Sequence, residues 1–246
     1  MEIRKPSFAG SFYPENKKEL KNQIINFLNQ AKKVDIKPKA LIVPHAGYIY
    51  SGQTAAYGYK LLDNQKKILL LGPSHNISHG FLSDTSDCWE TPLGKTLLYH
   101  PDIKSELSTK AHKMEHSLEV QLPFLQTVLK DFEICPLLIA NTDLNFVSKE
   151  IESISNDIII VSSDLSHYHP LIEAKVQDEH TINYILKKDV VDLQEKGEAC
   201  GVNPISVLLK IAKRKNWKPV LLNYSTSYNA SKDKESVVGY ATIGFK

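Results

Sequence analysis

Three short apolar runs, each stopping at a turn that carries a histidine or an aspartate, constrain this chain more than any other feature. Leu41-Ile42-Val43 stops at Pro44-His45-Ala46-Gly47-Tyr48, and Ile68-Leu69-Leu70-Leu71 stops at Gly72-Pro73-Ser74-His75. Ile158-Ile159-Ile160-Val161 stops at Ser162-Ser163-Asp164, with His167 three residues further on. Continuous Ile, Leu and Val runs of this length are what strands buried on both faces look like. In open α/β sheets, ligands sit beyond the carboxyl ends of such strands. The pattern therefore predicts a parallel sheet with its polar groups gathered on one rim.

The segments between these runs read as helices and turns. Leu20, Ile24, Phe27, Leu28 and Ala31 recur at helical spacing, with Lys17, Lys18, Lys21 and Lys32 on the other face. A second helix is expected from Ser51 to Leu62, with Ala55, Ala56 and Tyr59 on one side, and Trp89 to Leu97 reads as a hairpin turning through Pro92-Leu93-Gly94. Residues 102–113 are expected to be helical. From Glu115 a further helix carries Leu118, Leu122, Leu125, Val128 and Leu129, and Pro123 either kinks it or marks its true start. Pro136 within Ile134–Ile139 argues for an edge or early-strand position. Residues 145–154 read as a helix, and the helix after Asp164 is expected to turn Val176, Ile182, Ile185 and Leu186 inward. Pro204 suits the first turn of a helix to about Lys213, and strands over 219–225 and 236–245 finish the chain. Strands alternating with helices predict the α/β class: one domain, 1–246, with a central, mostly parallel sheet flanked by helices.

Composition narrows the function. Of the 30 basic residues only Arg4 and Arg214 are arginine, and the formal net charge is +2. The bidentate forks that read phosphates and guanine edges are therefore scarce, which argues against nucleic-acid binding. Three cysteines, Cys88, Cys135 and Cys200, argue for a reducing compartment rather than a disulfide framework. The chain shows neither a signal-peptide pattern near Met1 nor an apolar run of membrane-spanning length, so a cytoplasmic protein is expected.

The chemistry-bearing residues cluster by position in the fold. His45, His75 and Asp164 each follow a separate apolar strand, with His167 close behind. Two imidazoles and a carboxylate on one rim are the composition of a catalytic metal centre with open positions. The alternative is a polar rim held by its own hydrogen bonds. Cys200 precedes a helix whose amino-terminal dipole is expected to lower the thiol pKa, and it reads otherwise as a small buried residue. His116 and Glu119 either cap a helix, with Ser117, or reach the rim. Cys88 and Cys135 lie in strand-like patterns and read as core; His79, His100, His112, His169 and His180 read as surface or core residues.

Seven segments, in order and spanning almost the whole chain, carry a resemblance to a known family. They are Ala9-Gly10-Ser11-Phe12-Tyr13, Pro44-His45-Ala46-Gly47-Tyr48, Leu71-Gly72-Pro73-Ser74-His75, Glu115-His116-Ser117-Leu118-Glu119, Ser162-Ser163-Asp164-Leu165-Ser166-His167, Cys200-Gly201 and Leu222-Asn223-Tyr224. Together they resemble the Memo family, whose prokaryotic members are called AmmeMemoRadiSam system protein B. The resemblance implies a fold similar to the class III extradiol dioxygenases. It also implies metal binding by His45, His75 and Cys200, with Asp164 and His167 as the polar pair lining the same pocket. Iron, or alternatively copper or zinc, is the implied cofactor. The implied partners are an AMMECR-type protein and a radical SAM enzyme for prokaryotic members, and phosphotyrosine peptides for eukaryotic ones.

Exchanging the dioxygenase carboxylate for a thiol shifts metal preference toward zinc, copper(I) or thiolate-bound iron. Three functions follow. One is a metal-dependent redox enzyme in which Asp164 or His167 moves protons, a second is a binding module that recognises a peptide or protein through the same cleft, and a third is a zinc hydrolase.

Overall fold

The structure is a computed structural model that describes residues 1–32 and 34–246. In chain order, β1 (Ile3–Arg4) precedes α1 (Lys17–Gln30), β2 (Ala40–Val43), α2 (Tyr48–Tyr59) and β3 (Lys67–Gly72). The next region contains β4 (Phe81–Ser83), the hairpin β5 (Cys88–Thr91) and β6 (Gly94–Leu98), then β7 (Glu106–Leu107). Three short helices follow, α3 (Thr109–Lys113), α4 (His116–Glu119) and α5 (Leu122–Val128), and then β8 (Glu133–Ile139), α6 (Leu144–Ser153), β9 (Ile158–Ser162) and β10 (His167–His169). The last third holds α7 (Leu171–Lys187), α8 (Val190–Lys196), α9 (Val202–Arg214), β11 (Pro219–Thr226), α10 (Tyr228–Ser231) and β12 (Val237–Phe245).

The described strands form one sheet whose path runs β1-β5-β6-β8-β3-β9-β2-β12-β10. Its centre, β8-β3-β9-β2, is parallel, and β12 pairs antiparallel to β2. Pleating sends alternate residues of each central strand to opposite faces, and both faces are covered. Leu41, Val43, Ile68, Leu70 and Ile160 pack with Leu20, Ile24, Tyr59 and Phe124 of α1, α2 and α5. Ile42, Leu69, Leu71, Ile159 and Val161 pack with Ile151, Ile185, Leu193, Ile205 and Leu208 of α6 to α9. Each such apolar side chain contributes roughly 1.5–3 kcal/mol on burial, so this sandwich is the main source of stability. The architecture is the α/β arrangement expected from the sequence, with a parallel core and antiparallel margins.

Three local expectations are corrected, and the alternatives left open at Pro123 are decided. Pro136 does not lie at an edge: β8 is flanked by β3 along its length. On its other side β8 pairs with β6 at Glu133 and Ile134 and with β4 from Leu137 to Ile139. The missing N–H of Pro136 falls where one partner ends and the next begins, so no ladder bond is lost. Residues 102–113 are not one helix; β7 takes Glu106–Leu107, and only Thr109–Lys113 is helical, capped by Ser108 Oγ. Pro123 marks a helix start, in the first turn of α5, so the stretch after Glu115 is two short helices. Val176 is exposed, because α7 turns Ala174, Asp178, Thr181 and Ile185 inward.

Candidate metal centre

Strand register brings the three turns together. β9 lies between β3 and β2, with Val43 opposite Ser162 and Leu71 opposite Val161. Two residues past Val43 and Ser162, the backbone N–H of His45 donates to Asp164 Oδ1 at 2.7 Å, and that of Ala46 at 3.3 Å. His45 is buried, and its Nδ1 lies 2.8 Å from Ser162 Oγ. Its other ring nitrogen, Nε2, faces Cys200 Sγ at 3.2 Å.

Cys200 arrives from the other side, at the turn ahead of α9. Gly201 permits the approach, because a Cβ there would stand 2.5 Å from Ser163 Cβ; its N–H donates to Ser163 Oγ at 2.9 Å. The sulfur also receives the Asp164 backbone N–H at 3.2 Å. The expected lowering of the thiol pKa is overturned: burial pushes the Cys200 thiol well up, Asp164 adds to the rise, and the hydrogen bonds to sulfur do not offset them.

His75 is held by Glu115, which in sequence reads only as the opening of a helix. Glu115 Oε2 accepts the His75 backbone N–H at 2.6 Å, and Oε1 accepts Nδ1–H at 2.8 Å. Burial opposes ionisation of Glu115, but these bonds prevail and its carboxyl falls to about 2. The same hydrogen bond raises the pKa of His75. Glu115 also caps α4 by accepting Ser117 N–H at 3.0 Å. A carboxylate on one ring nitrogen leaves the other free to bind, which is the usual support for a metal-ligating histidine. Gly72 lets α4 close on this turn, since a Cβ there would meet Leu118 Cδ2 at 2.6 Å.

His45, His75 and Cys200 thus present one donor atom each, all within 4.8 Å of one another. His116 reaches the rim too: its ring stacks on His75 at 4.7 Å and stands edge-on to His45 at 5.2 Å. Burial lowers its pKa to about 4. Glu119 does not reach the rim. It receives Arg4 Nη1 at 2.6 Å, the backbone amides of Ser7 and Phe8, and the Tyr13 hydroxyl at 2.7 Å, so it anchors the loop over 6–14. That loop lays Phe12 on His116 with ring centroids 4.5 Å apart.

His167 stands in β10 opposite Val238, and its backbone N–H donates to Glu198 Oε1 at 3.3 Å. Burial holds its imidazole pKa below the usual value, and burial likewise holds His45 well below it, with the neighbouring His116, His75 and His167 disfavouring a second cation, so both rings stay neutral near pH 7. Asp164 moves the opposite way: burial pushes its carboxyl up to about 7 against the two amides that favour the anion. A native carboxyl that holds its proton longer than the unfolded one loses stability as pH rises between the two pKa values. From pH 5 to pH 8 this amounts to roughly 2–3 kcal/mol. Urea unfolding of the metal-free protein is therefore expected to show Asp164→Asn gaining on the wild type by that amount at pH 8 relative to pH 5. Parallel curves for the two proteins would contradict a buried carboxyl with a raised pKa.

Comparison with known proteins gives one answer along the whole chain. The family model described as "Memo-like protein" matches residues 4–244. A MEMO1 family protein of Aquifex aeolicus is 36% identical, with 100% of each chain covered. One from Saccharolobus solfataricus is 37% identical over 98% of this chain and 99% of its own, and one from Thermoplasma volcanium is 35% identical over 98% and 97%. With matches this long and this similar, the chain belongs to the Memo family.

Proposed function

We propose that this protein is a metal-dependent redox protein whose ion is held by His45 Nε2, His75 Nε2 and Cys200 Sγ. The observation that carries the reading is the convergence of these three donors, from strand ends 45 and 75 and a turn 155 residues away from the first, within 4.8 Å. Three protein donors with a position left open is the pattern of a catalytic rather than a structural site. The separation of 3.2 Å between His45 Nε2 and Cys200 Sγ is close to the roughly 3.5 Å expected between N and S ligands of one tetrahedral ion. A thiolate and two imidazoles suit iron or copper, and zinc is the alternative. Iron or copper supplies one-electron chemistry and an open coordination position for a small substrate.

The chain's own groups set the conditions around that position. Asp164, with Oδ1 occupied by two amides and a pKa of about 7, is placed to hold or release a proton at Oδ2. His167 stays neutral and accepts one. Phe12 and His116 form an aromatic wall on the side of His75. Metal analysis of anaerobically purified protein, with an absorption spectrum, tests this. Near-stoichiometric iron or copper and a thiolate charge-transfer band are expected, both lost in His45→Ala. Colourless protein that takes up the same trace of metal in both forms would end the reading.

The same cleft serves the second reading, a peptide- or protein-binding module; association with an AMMECR-type protein and a radical SAM enzyme belongs with it. Phosphate capture gains little support. Arg4 is buried against Glu119 and Trp89, and Arg214 is paired with Glu152, so both arginines are already engaged.

A further inference from the structure

We infer that Ser162 and Gln121 are positioning residues that lock His45 in the Nδ1–H tautomer, so that its Nε2 lone pair is always presented to the open side of the cluster. The inference rests on the proposed metal site only for its consequence; the tautomer itself follows from an inventory of protons.

Ser162 is the last residue of β9 and is fully buried. Its hydroxyl lies within hydrogen-bond distance of three groups: the Ser117 carbonyl at 2.6 Å, the Gln121 amide nitrogen at 2.7 Å and His45 Nδ1 at 2.8 Å. A serine hydroxyl has one proton and two lone pairs. A carbonyl oxygen can only accept, so the proton goes to Ser117. An amide NH₂ can only donate, so it takes one lone pair. Only a lone pair remains for His45, and Nδ1 must therefore bring a proton of its own.

The orientation of Gln121 is decided independently, which closes the remaining ambiguity. Its Nε2 also donates to the Pro44 carbonyl at 3.0 Å, and its Oε1 accepts the Tyr59 hydroxyl at 2.7 Å. Reversing the amide would set an oxygen against the Pro44 carbonyl and leave that buried carbonyl unpaired, an arrangement that costs about 1–3 kcal/mol. Tyr59 is itself fixed by stacking on Phe124 at 4.8 Å. The chain from Tyr59 through Gln121 and Ser162 to His45 thus has one consistent set of donors. An imidazole protonated on Nδ1 carries its lone pair on Nε2, the atom that faces Cys200. Pro44, whose carbonyl holds Gln121, adjoins His45 itself, so backbone and ring are positioned together.

Long-range proton–nitrogen NMR on histidine-labelled, metal-free protein reads the tautomer directly, with His45 assigned by its loss in His45→Ala. Wild-type His45 is expected to show a protonated Nδ1 and an unprotonated Nε2. Ser162→Ala removes the hydroxyl that accepts Nδ1–H and is expected to give a mixture of tautomers with a roughly 10–100-fold weaker affinity for cobalt(II). An Nε2–H tautomer in the wild type overturns the inference, as does a Ser162→Ala protein that keeps both the tautomer and the cobalt(II) affinity. The wild-type spectrum decides the matter even if Ser162→Ala does not fold. A protein that shows the Nδ1–H tautomer and takes up no metal supports the positioning assignment while ending the metal reading.

Discussion

Replacing Glu119 with alanine is expected to lower the melting temperature by roughly 6–20 °C. The variant strands the Arg4 guanidinium, whose side chain is 1% exposed against 0% for Glu119. Removing one partner of a buried ion pair costs about 3–5 kcal/mol, and a chain of this length loses roughly 2–4 °C per kcal/mol. Arg4 also donates to the carbonyls of His112 and Glu115. These bonds cannot neutralise the cation, and in the variant they hold it inside the protein. Glu119→Gln is expected to be milder, because an amide oxygen still accepts from Phe8 and Tyr13. Calorimetry of the three proteins checks the order. An alanine variant as stable as the wild type would show that Arg4 escapes to solvent and that the loop over 6–14 is not anchored here. NMR of Phe12 and His116 adds a second readout, since releasing the loop removes their stacking.

Cys200→Ser is expected to weaken the binding of cobalt(II), zinc or iron(II) by roughly 100–1,000-fold. Structural zinc sites with four ligands are worth about 10–16 kcal/mol, or roughly 2.5–4 per ligand, and each 1.4 kcal/mol is tenfold. The pH dependence is more specific. Because burial keeps the thiol protonated well above neutral pH, each ion bound must displace its proton. Wild-type affinity is therefore expected to rise by about tenfold per pH unit near pH 8, with one proton released per ion, whereas Cys200→Ser shows a flatter dependence. Calorimetric titration in two buffers of different ionisation enthalpy counts the protons. Equal proton release by both proteins would remove Cys200 from the set of ligands.

Much of the rim was legible because its signals are local. His45, His75 and Asp164 each interrupt a run of buried strand residues, and the apolar runs match β2, β3 and β9 to within a residue or two. What was missed depends on pairings far apart in sequence. Glu115 reads as the opening of a helix, and its cap role is local; its hold on His75 crosses 40 residues. A signal was available, since Glu at a cap position directly before a histidine is an uncommon way to start a helix. Ser162 reads as a turn residue because nothing nearby in the chain shows that Ser117, Gln121 and His45 meet at its hydroxyl. The sequence points the wrong way for the Cys200 thiol because the helix dipole is visible in sequence and burial is not. Pro136 reads as an edge or early-strand residue because a single strand's residues cannot show that its neighbour changes halfway along.

The distribution of these groups along the chain also sets an order of events during synthesis. Residues at 45, 75, 115, 162 and 200 come together only after β9 has been inserted between β3 and β2 and α9 has packed beneath it. The segment bearing Asp164 is then fastened from behind by β12, through reciprocal backbone bonds joining Leu165 and Ser166 to Gly239. No early fragment emerging from the ribosome holds two of the three donors against the third. On the metal reading proposed above, loading of an ion follows the docking of β9, α9 and β12, and a truncation that removes β12 is expected to leave the donors dispersed.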